Sequence, residues 1–237
     1  MSTYNKLILN GHKLAYHKDR VEAWLRGERI APITIDCALT RRCTYGCIYC
    51  YSQLQANDEK LMTRNAIFRF LDDAAEIGVK AISFMSDGES TCSTYLYDAI
   101  FRGKANRLDM SLATNGYLLK QDQLEEILSA LTYLRFNMSA GEPERYAQIH
   151  GCKQECFYKV CDTIKKCVKI KAENHLEVTI GLQEVLNLIA SKEFDAKRMC
   201  GCLCLQHKVN EFLWDIKMGK TVLENGTGSP PMHVNFV

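Results

Sequence analysis

From Ile33 to about Leu182 the chain alternates short apolar runs with helix-length amphipathic stretches, and no other feature narrows its fold as far. Strand-forming runs stand at Thr34–Leu39, Ala81–Met85, Met110–Ala113, Tyr133–Met138 and Val178–Leu182. Between them, Thr63–Ile77, Ser93–Asn106, Gln121–Ala130 and Glu155–Lys171 have the length and spacing of helices. The first is apolar at Ile67, Phe70, Leu71 and Ala74 and meets a stop signal at Gly78. Strand, helix, strand is the sequence form of parallel pairing, because parallel neighbours need a crossover between them. The expected class is α/β: a partial (β/α)6 TIM-like barrel with parallel strands, its sixth strand at Glu211–Ile216. A complete eight-unit barrel does not fit, and the C-terminal part reads as truncated or atypical.

Residues 1–30 form a polar lead-in with a short amphipathic helix at Val21–Arg29, and Pro32 marks the boundary. Residues 31–186 carry the repeating core. Residues 187–237 become Cys-rich and then, in ENGTGSPPMH, rich in turn formers, so this segment either closes the barrel or forms a loose tail. At 237 residues the chain has one sizeable core and at most two small domains.

A formal charge of +2 is too balanced to announce a nucleic-acid or membrane partner. The N-terminal stretch lacks the apolar run of a signal peptide, and no later stretch approaches a membrane span, so a cytoplasmic protein is expected. The 12 cysteines are then thiols or metal ligands in a reducing compartment rather than disulfides. Their spacing separates ligands from small buried hydrophobes.

Directly after the first strand comes TRRCTYGCIYCYSQ, which sets Cys43, Cys47 and Cys50 in a C-x3-C-x2-C pattern around Gly46. Thiolates are soft anionic ligands suited to iron–sulfur clusters and zinc. Structural zinc closes with four protein ligands, so zinc needs a remote fourth here. A cubane cluster on three cysteines instead leaves one iron open to a ligand, which is a catalytic feature.

This loop, following the first strand of a βα array, resembles the signature of the radical S-adenosylmethionine (SAM) superfamily. The resemblance implies a [4Fe-4S] cluster on Cys43, Cys47 and Cys50, with SAM chelated at the open iron. It further implies reductive cleavage of SAM to a 5′-deoxyadenosyl radical that abstracts hydrogen from a substrate. Tyr49 matches the family's aromatic position against adenine. In AISFMSDGES, Asp87, Gly88 and Glu89 resemble the Gly-Gly-Glu loop that receives the methionine amino group, with Asp in place of the first Gly. SLATNGYLL resembles the family's Thr-Asn-Gly turn, putting Thr114 and Asn115 near the SAM carboxylate and ribose. LRFNMSAGEP resembles the Asn-x-Ser segment of the cyclase of molybdenum-cofactor synthesis, turning Asn137 and Ser139 to the ribose hydroxyls. VTIGLQEVLN keeps Gly181 and Glu184 at the spacing of a looser motif near adenine, without its preceding Gly and Ile. These segments fall at strand C-terminal ends, where a parallel barrel builds its site.

An electron donor such as flavodoxin or ferredoxin is implied as partner, together with a small-molecule or peptide substrate that the residues leave open. Two other readings stand beside this one: a zinc-stabilised binding module, and a degenerate radical SAM protein that holds the cluster without turnover. Arg41 and Arg42 fit either charge compensation at a cluster or a solvated surface. Lys165, Lys166, Lys169 and Lys171 crowd one helix end, where cations meet the dipole favourably. Cys152, Cys156, Cys161 and Cys167 do not keep up a repeat of three or four residues and so spread around a helix; Cys200, Cys202 and Cys204 share one face of a strand if they form one. An auxiliary cluster and plain thiols are both open for these seven.

Overall fold

The computed structural model describes residues 17–50, 52, 61–85, 87–185 and 233–235. The elements run α1 (Lys18–Leu25), β1 (Thr34–Asp36), α2 (Arg64–Glu76), β2 (Ala81–Phe84), α3 (Leu96–Ala105), β3 (Asp109–Thr114), α4 (Leu124–Ala130), β4 (Tyr133–Asn137), α5 (Pro143–His150), α6 (Gln154–Glu173), β5 (Thr179–Val185) and β6 (His233–Asn235). One sheet takes the strands in chain order, β1 through β6. β1 to β5 are parallel to their neighbours, and β6 runs antiparallel on β5.

Strands alternate their side chains between two faces, and here the faces differ in chemistry. Ile82, Phe84, Met110, Leu112, Leu134, Phe136 and Leu182 join one apolar cluster with the helices. The alternate positions are mostly small or polar. Ser83, Ser111, Tyr133 and Thr179 stand side by side in register, and Arg135 lies between Ala113 and Gly181. A parallel sheet buried for stability alone reads apolar on both faces. The polar inner face of this one is therefore built for contents other than packing.

The helices form for legible reasons. Thr63 caps α2 by accepting from the Ala66 amide at 3.3 Å, and Ile67, Leu71 and Ala74 on one face are buried. Gly78, at φ +91°, ends the turn as its spacing predicts. Contacts of α2 with α3, α3 with α4, and α6 with both α4 and α5 make a continuous outer layer.

The structure departs from the sequence expectation at several elements; helix α1, for one, spans Lys18–Leu25 rather than Val21–Arg29. β1 stops at Asp36 rather than Leu39, because the chain turns away to form the cysteine loop; Thr40 then makes an isolated bridge to Leu61. Helix α5 was not expected. Cys156, Cys161 and Cys167 do not spread around α6 but all lie on its buried side, since a helix packed on two neighbours buries a wide arc. The expected sixth strand at Glu211–Ile216, like Cys200, Cys202 and Cys204, lies outside the described residues; the sixth strand of the sheet is His233–Asn235. Among the described residues no helix is long and apolar enough to cross a membrane.

Candidate active site

The cysteine loop leaves the C-terminal end of β1 and is pinned from two sides. The Gly46 amide donates to the His150 carbonyl at 3.0 Å and the Ile48 amide to the Ile149 carbonyl at 2.9 Å, so the loop hangs on the last turn of α5. On the other side the Glu89 amide donates to the Arg42 carbonyl at 2.8 Å. Gly88 sits at φ +69°, where a Cβ would lie 2.5 Å from the Thr40 carbonyl oxygen and 2.7 Å from Arg42's. Only glycine fits so close to that backbone.

Each thiol of the loop has a polar neighbour. The Tyr45 amide donates to Cys43 Sγ at 3.4 Å, His150 Nδ1 lies 3.1 Å from Cys47 Sγ, and Ser52 Oγ lies 2.8 Å from Cys50 Sγ. Burial pushes the Cys47 thiol up to about 12, and the neighbouring Cys43 and Cys50 sulfurs push in the same direction; burial likewise raises Cys43. Three mutually repelling sulfurs ionise together only against a cationic core. Three thiolates fit a cubane that keeps one iron open, whereas a closed structural zinc site needs a fourth protein ligand.

Glu89 is the buried hub of the next layer. Its Oε1 accepts from the Thr91 amide (3.1 Å), Thr91 Oγ1 (2.7 Å) and Thr114 Oγ1 (2.5 Å), while Oε2 accepts from the Asn115 amide at 2.7 Å. Asn115 Nδ2 donates onward to Thr44 Oγ1 at 3.0 Å, inside the cysteine loop. The loops after β1, β2 and β3 are therefore one hydrogen-bonded body. A carboxylate has about four lone-pair sites, which leaves Oε2 room for a further donor. Asp87 lies beside Arg41, Oδ2 to Nε 4.0 Å, on the wall of an open cavity of about 410 Å³ that Thr40, Leu61 and Met62 also line.

A second pair closes the site from β4. Tyr49 and Ser139, 90 residues apart, meet at 2.9 Å through their hydroxyls, and burial holds the Tyr49 phenol protonated. Asn137, the last residue of β4 and two before Ser139, has its Oδ1 buried with no hydrogen-bond partner among the described residues. An orphaned buried acceptor is costly and calls for a donor from a ligand. Glu184 occupies β5 opposite Val234 of β6.

The structure thus brings Cys43, Cys47, Cys50, Tyr49, Gly88, Glu89, Thr114, Asn115 and Ser139 into one bonded assembly at one end of the sheet. Most of the polar capacity of Thr114 and Asn115 is spent inside it: Thr114 Oγ1 also accepts from the Gly116 amide and Asn115 Oδ1 from the Tyr117 amide. Thr44, Thr91 and His150 belong to the site and were missed from sequence. Glu142-Pro143 and Gly151 carried the signal for His150, since proline at a helix start and glycine past its end bracket α5.

A model of the Radical SAM superfamily matches residues 38–186. The probable GTP 3′,8-cyclase of Pyrococcus horikoshii is 26% identical over 174 residues, covering 72% of this chain and 53% of that protein. Its counterpart from Methanocella arvoryzae is 30% identical over 146 residues, covering 61% and 45%. The chain spans about half the length of these curated relatives. Among solved structures, Streptococcus suis SuiB bound to S-adenosylmethionine superposes with a TM-score of 0.52 at 15% identity, over 87% of this chain and 53% of that one, a likeness of fold. With more than half of its residues matched by the family model, the chain belongs to the radical SAM superfamily, and its core is similar to that of the GTP 3′,8-cyclases.

Proposed function

We propose that Cys43, Cys47 and Cys50 hold the [4Fe-4S] cluster, that the strand ends of β2 to β5 hold SAM, and that the chain turns over a polar small molecule or peptide. The observation that carries this reading is the single hydrogen-bonded body made by the cysteine loop, Glu89, Thr114 and Asn115. When bound, the cluster and SAM supply one-electron cleavage of the sulfonium to a 5′-deoxyadenosyl radical, which takes hydrogen from the substrate.

The chain's own residues then have separable tasks. Glu89 Oε2 and the backbone at Asp87 and Gly88 receive the methionine ammonium, a charge-assisted contact in a buried setting. Thr114 and Asn115 hold Glu89 and the cysteine loop in register for it, with the SAM carboxylate and ribose beside them. The Tyr49 ring would meet adenine, with its hydroxyl fixed by Ser139. Asn137 Oδ1 would accept from a ribose hydroxyl, with Ser139 beside it. Glu184, near the end of β5, would stand on the adenine side. The inner face of the sheet, with buried Arg135 between Ala113 and Gly181, offers the substrate a polar wall.

In this reading residues 1–30 are a lead-in, 31–186 the core and 187–237 the atypical closing segment. A flavodoxin or ferredoxin delivers the electron, in the reducing cytoplasm. The test is anaerobic reconstitution with iron and sulfide, then reduction with SAM present. Release of 5′-deoxyadenosine supports the proposal. SAM binding by a folded, cluster-loaded protein without cleavage would favour a degenerate member, and zinc without iron or sulfide in anaerobically purified protein would favour a metal-stabilised binding module.

A further inference from the structure

Helix α5 contributes no side chain to the assignments above, yet its last residue reaches the sulfur of Cys47. His150 is 0% exposed, with the Tyr146 ring centroid at 4.3 Å, Tyr45 at 5.7 Å and Tyr49 at 6.1 Å. Its backbone carbonyl takes the Gly46 amide. The next residue, Gly151, adopts φ +60° so tightly against the loop that a Cβ would lie 2.6 Å from the Gly46 carbonyl oxygen. The imidazole is therefore fixed in place by packing on one side and by backbone on the other.

The two ring nitrogens differ. Nδ1 faces Cys47 Sγ at 3.1 Å, whereas Nε2 is buried with no hydrogen-bond partner among the described residues. Once Cys47 is a ligand its sulfur is a pure acceptor. An imidazole carries at least one N–H, and it belongs on Nδ1, because among the described residues that nitrogen has an acceptor in front of it and Nε2 has none.

We propose that His150 is a positioning residue that donates an Nδ1–H hydrogen bond to the Cys47 sulfur of the bound cluster, orienting that ligand and raising the potential at which the cluster accepts its electron. The inference rests on the reading above that Cys47 is a cluster ligand. The physical reason is the sign of the charge change. One-electron reduction adds negative charge to the cluster and its sulfurs, and a donor aimed at sulfur is worth more after reduction than before. No bond is made or broken, and the proton stays on Nδ1.

The experiment is a redox titration, followed by EPR, of the full chain reconstituted with iron and sulfide, as wild type, His150→Phe and His150→Asn. The Phe ring fills the space without a donor; the Asn side-chain amide places N–H close to where Nδ1 stood. The expected result is cluster content equal to wild type in both variants. The Phe variant should show an equilibrium constant for reduction about tenfold lower, about 59 mV for a one-electron couple, with at least half of that shift recovered in Asn. A cluster-loaded Phe variant with the wild-type potential overturns the inference. Should either variant misfold, the wild type decides: pulsed ENDOR of the reduced cluster in protein labelled with 15N-histidine should show a nitrogen coupling and a proton coupling lost in D2O. Their absence overturns the inference as well. A wild type that takes up no cluster defeats the reading of Cys47 as ligand, whereas a loaded wild type indifferent to His150 defeats this inference alone.

Discussion

Replacing Gly88 by Ala tests whether the loop after β2 is fitted to the cysteine loop. Two penalties separate cleanly. At φ +69° an L-residue meets the left-handed region, which costs about 1–2 kcal/mol. The new Cβ would also stand 2.5 Å from the Thr40 carbonyl oxygen and 2.7 Å from Arg41 C and Arg42 O. All three are backbone, which cannot rotate away, so crowding adds about 1–3 kcal/mol. The sum is about 2–5 kcal/mol. Gly27 supplies the control, because it has φ +81° with nothing within 4 Å of its virtual Cβ, leaving only the first penalty of about 1–2 kcal/mol. Anaerobic urea unfolding of the apoprotein compares the two. With slopes of about 1–3 kcal/mol/M, Gly88→Ala should unfold at a clearly lower urea concentration than Gly27→Ala. Relief of the clash moves residues 40–42, which lead straight into Cys43. Iron and sulfide uptake should therefore fall in Gly88→Ala and not in Gly27→Ala. Equal midpoints and equal cluster content in the two variants would refute the close-fit argument.

Glu89→Gln exchanges a four-fold acceptor for a group that must point an N–H at another donor, and should cost about 1–3 kcal/mol; a Tm lowered by roughly 2–4 °C per kcal/mol checks it. Asn137→Ala should weaken SAM binding several-fold, since a neutral hydrogen bond is worth about 0.5–1.5 kcal/mol, and calorimetry on cluster-loaded protein that finds an unchanged Kd counts against the ribose assignment. Tyr49→Phe loses the hydroxyl contact with Ser139, about 0.5–1.5 kcal/mol of stability by urea unfolding, while the retained ring should leave SAM affinity nearly intact. Cys50→Ser should abolish iron and sulfide uptake with the far-ultraviolet circular dichroism preserved, because a cubane on three thiolates loses one ligand while the half-buried Cys50 lies outside the packed core.

The barrel strands and α2 were legible because their signals are local: Ile67, Leu71 and Ala74 recur at helical spacing, and Thr63 and Gly78 punctuate them. The site was legible where residue type alone narrows the chemistry, as with three thiols around Gly46. What was hidden depends on tertiary approach. Nothing near Tyr49 in the chain says that its hydroxyl meets Ser139. Glu89 was recognised as a site carboxylate, but its role in tying Thr114 and the Asn115 amide to the cysteine loop needs the parallel register of β2 and β3. Helix α5 escaped because eight residues with few apolar positions give too short a periodic pattern. The buried alignment of Cys156, Cys161 and Cys167 escaped because the width of a helix's buried arc is set by its neighbours, not by its own spacing.

The antiparallel sense of β6 has a consequence for how this protein can vary. Val185, at the site end of β5, pairs with His233, the first residue of β6, so the chain departs from and rejoins the sheet at the same rim. Those two residues act as fixed mooring points. A change of length between them leaves the Val185–His233 pair where it is only if both ends return to this rim, the end of the sheet at which β1 also releases the cysteine loop.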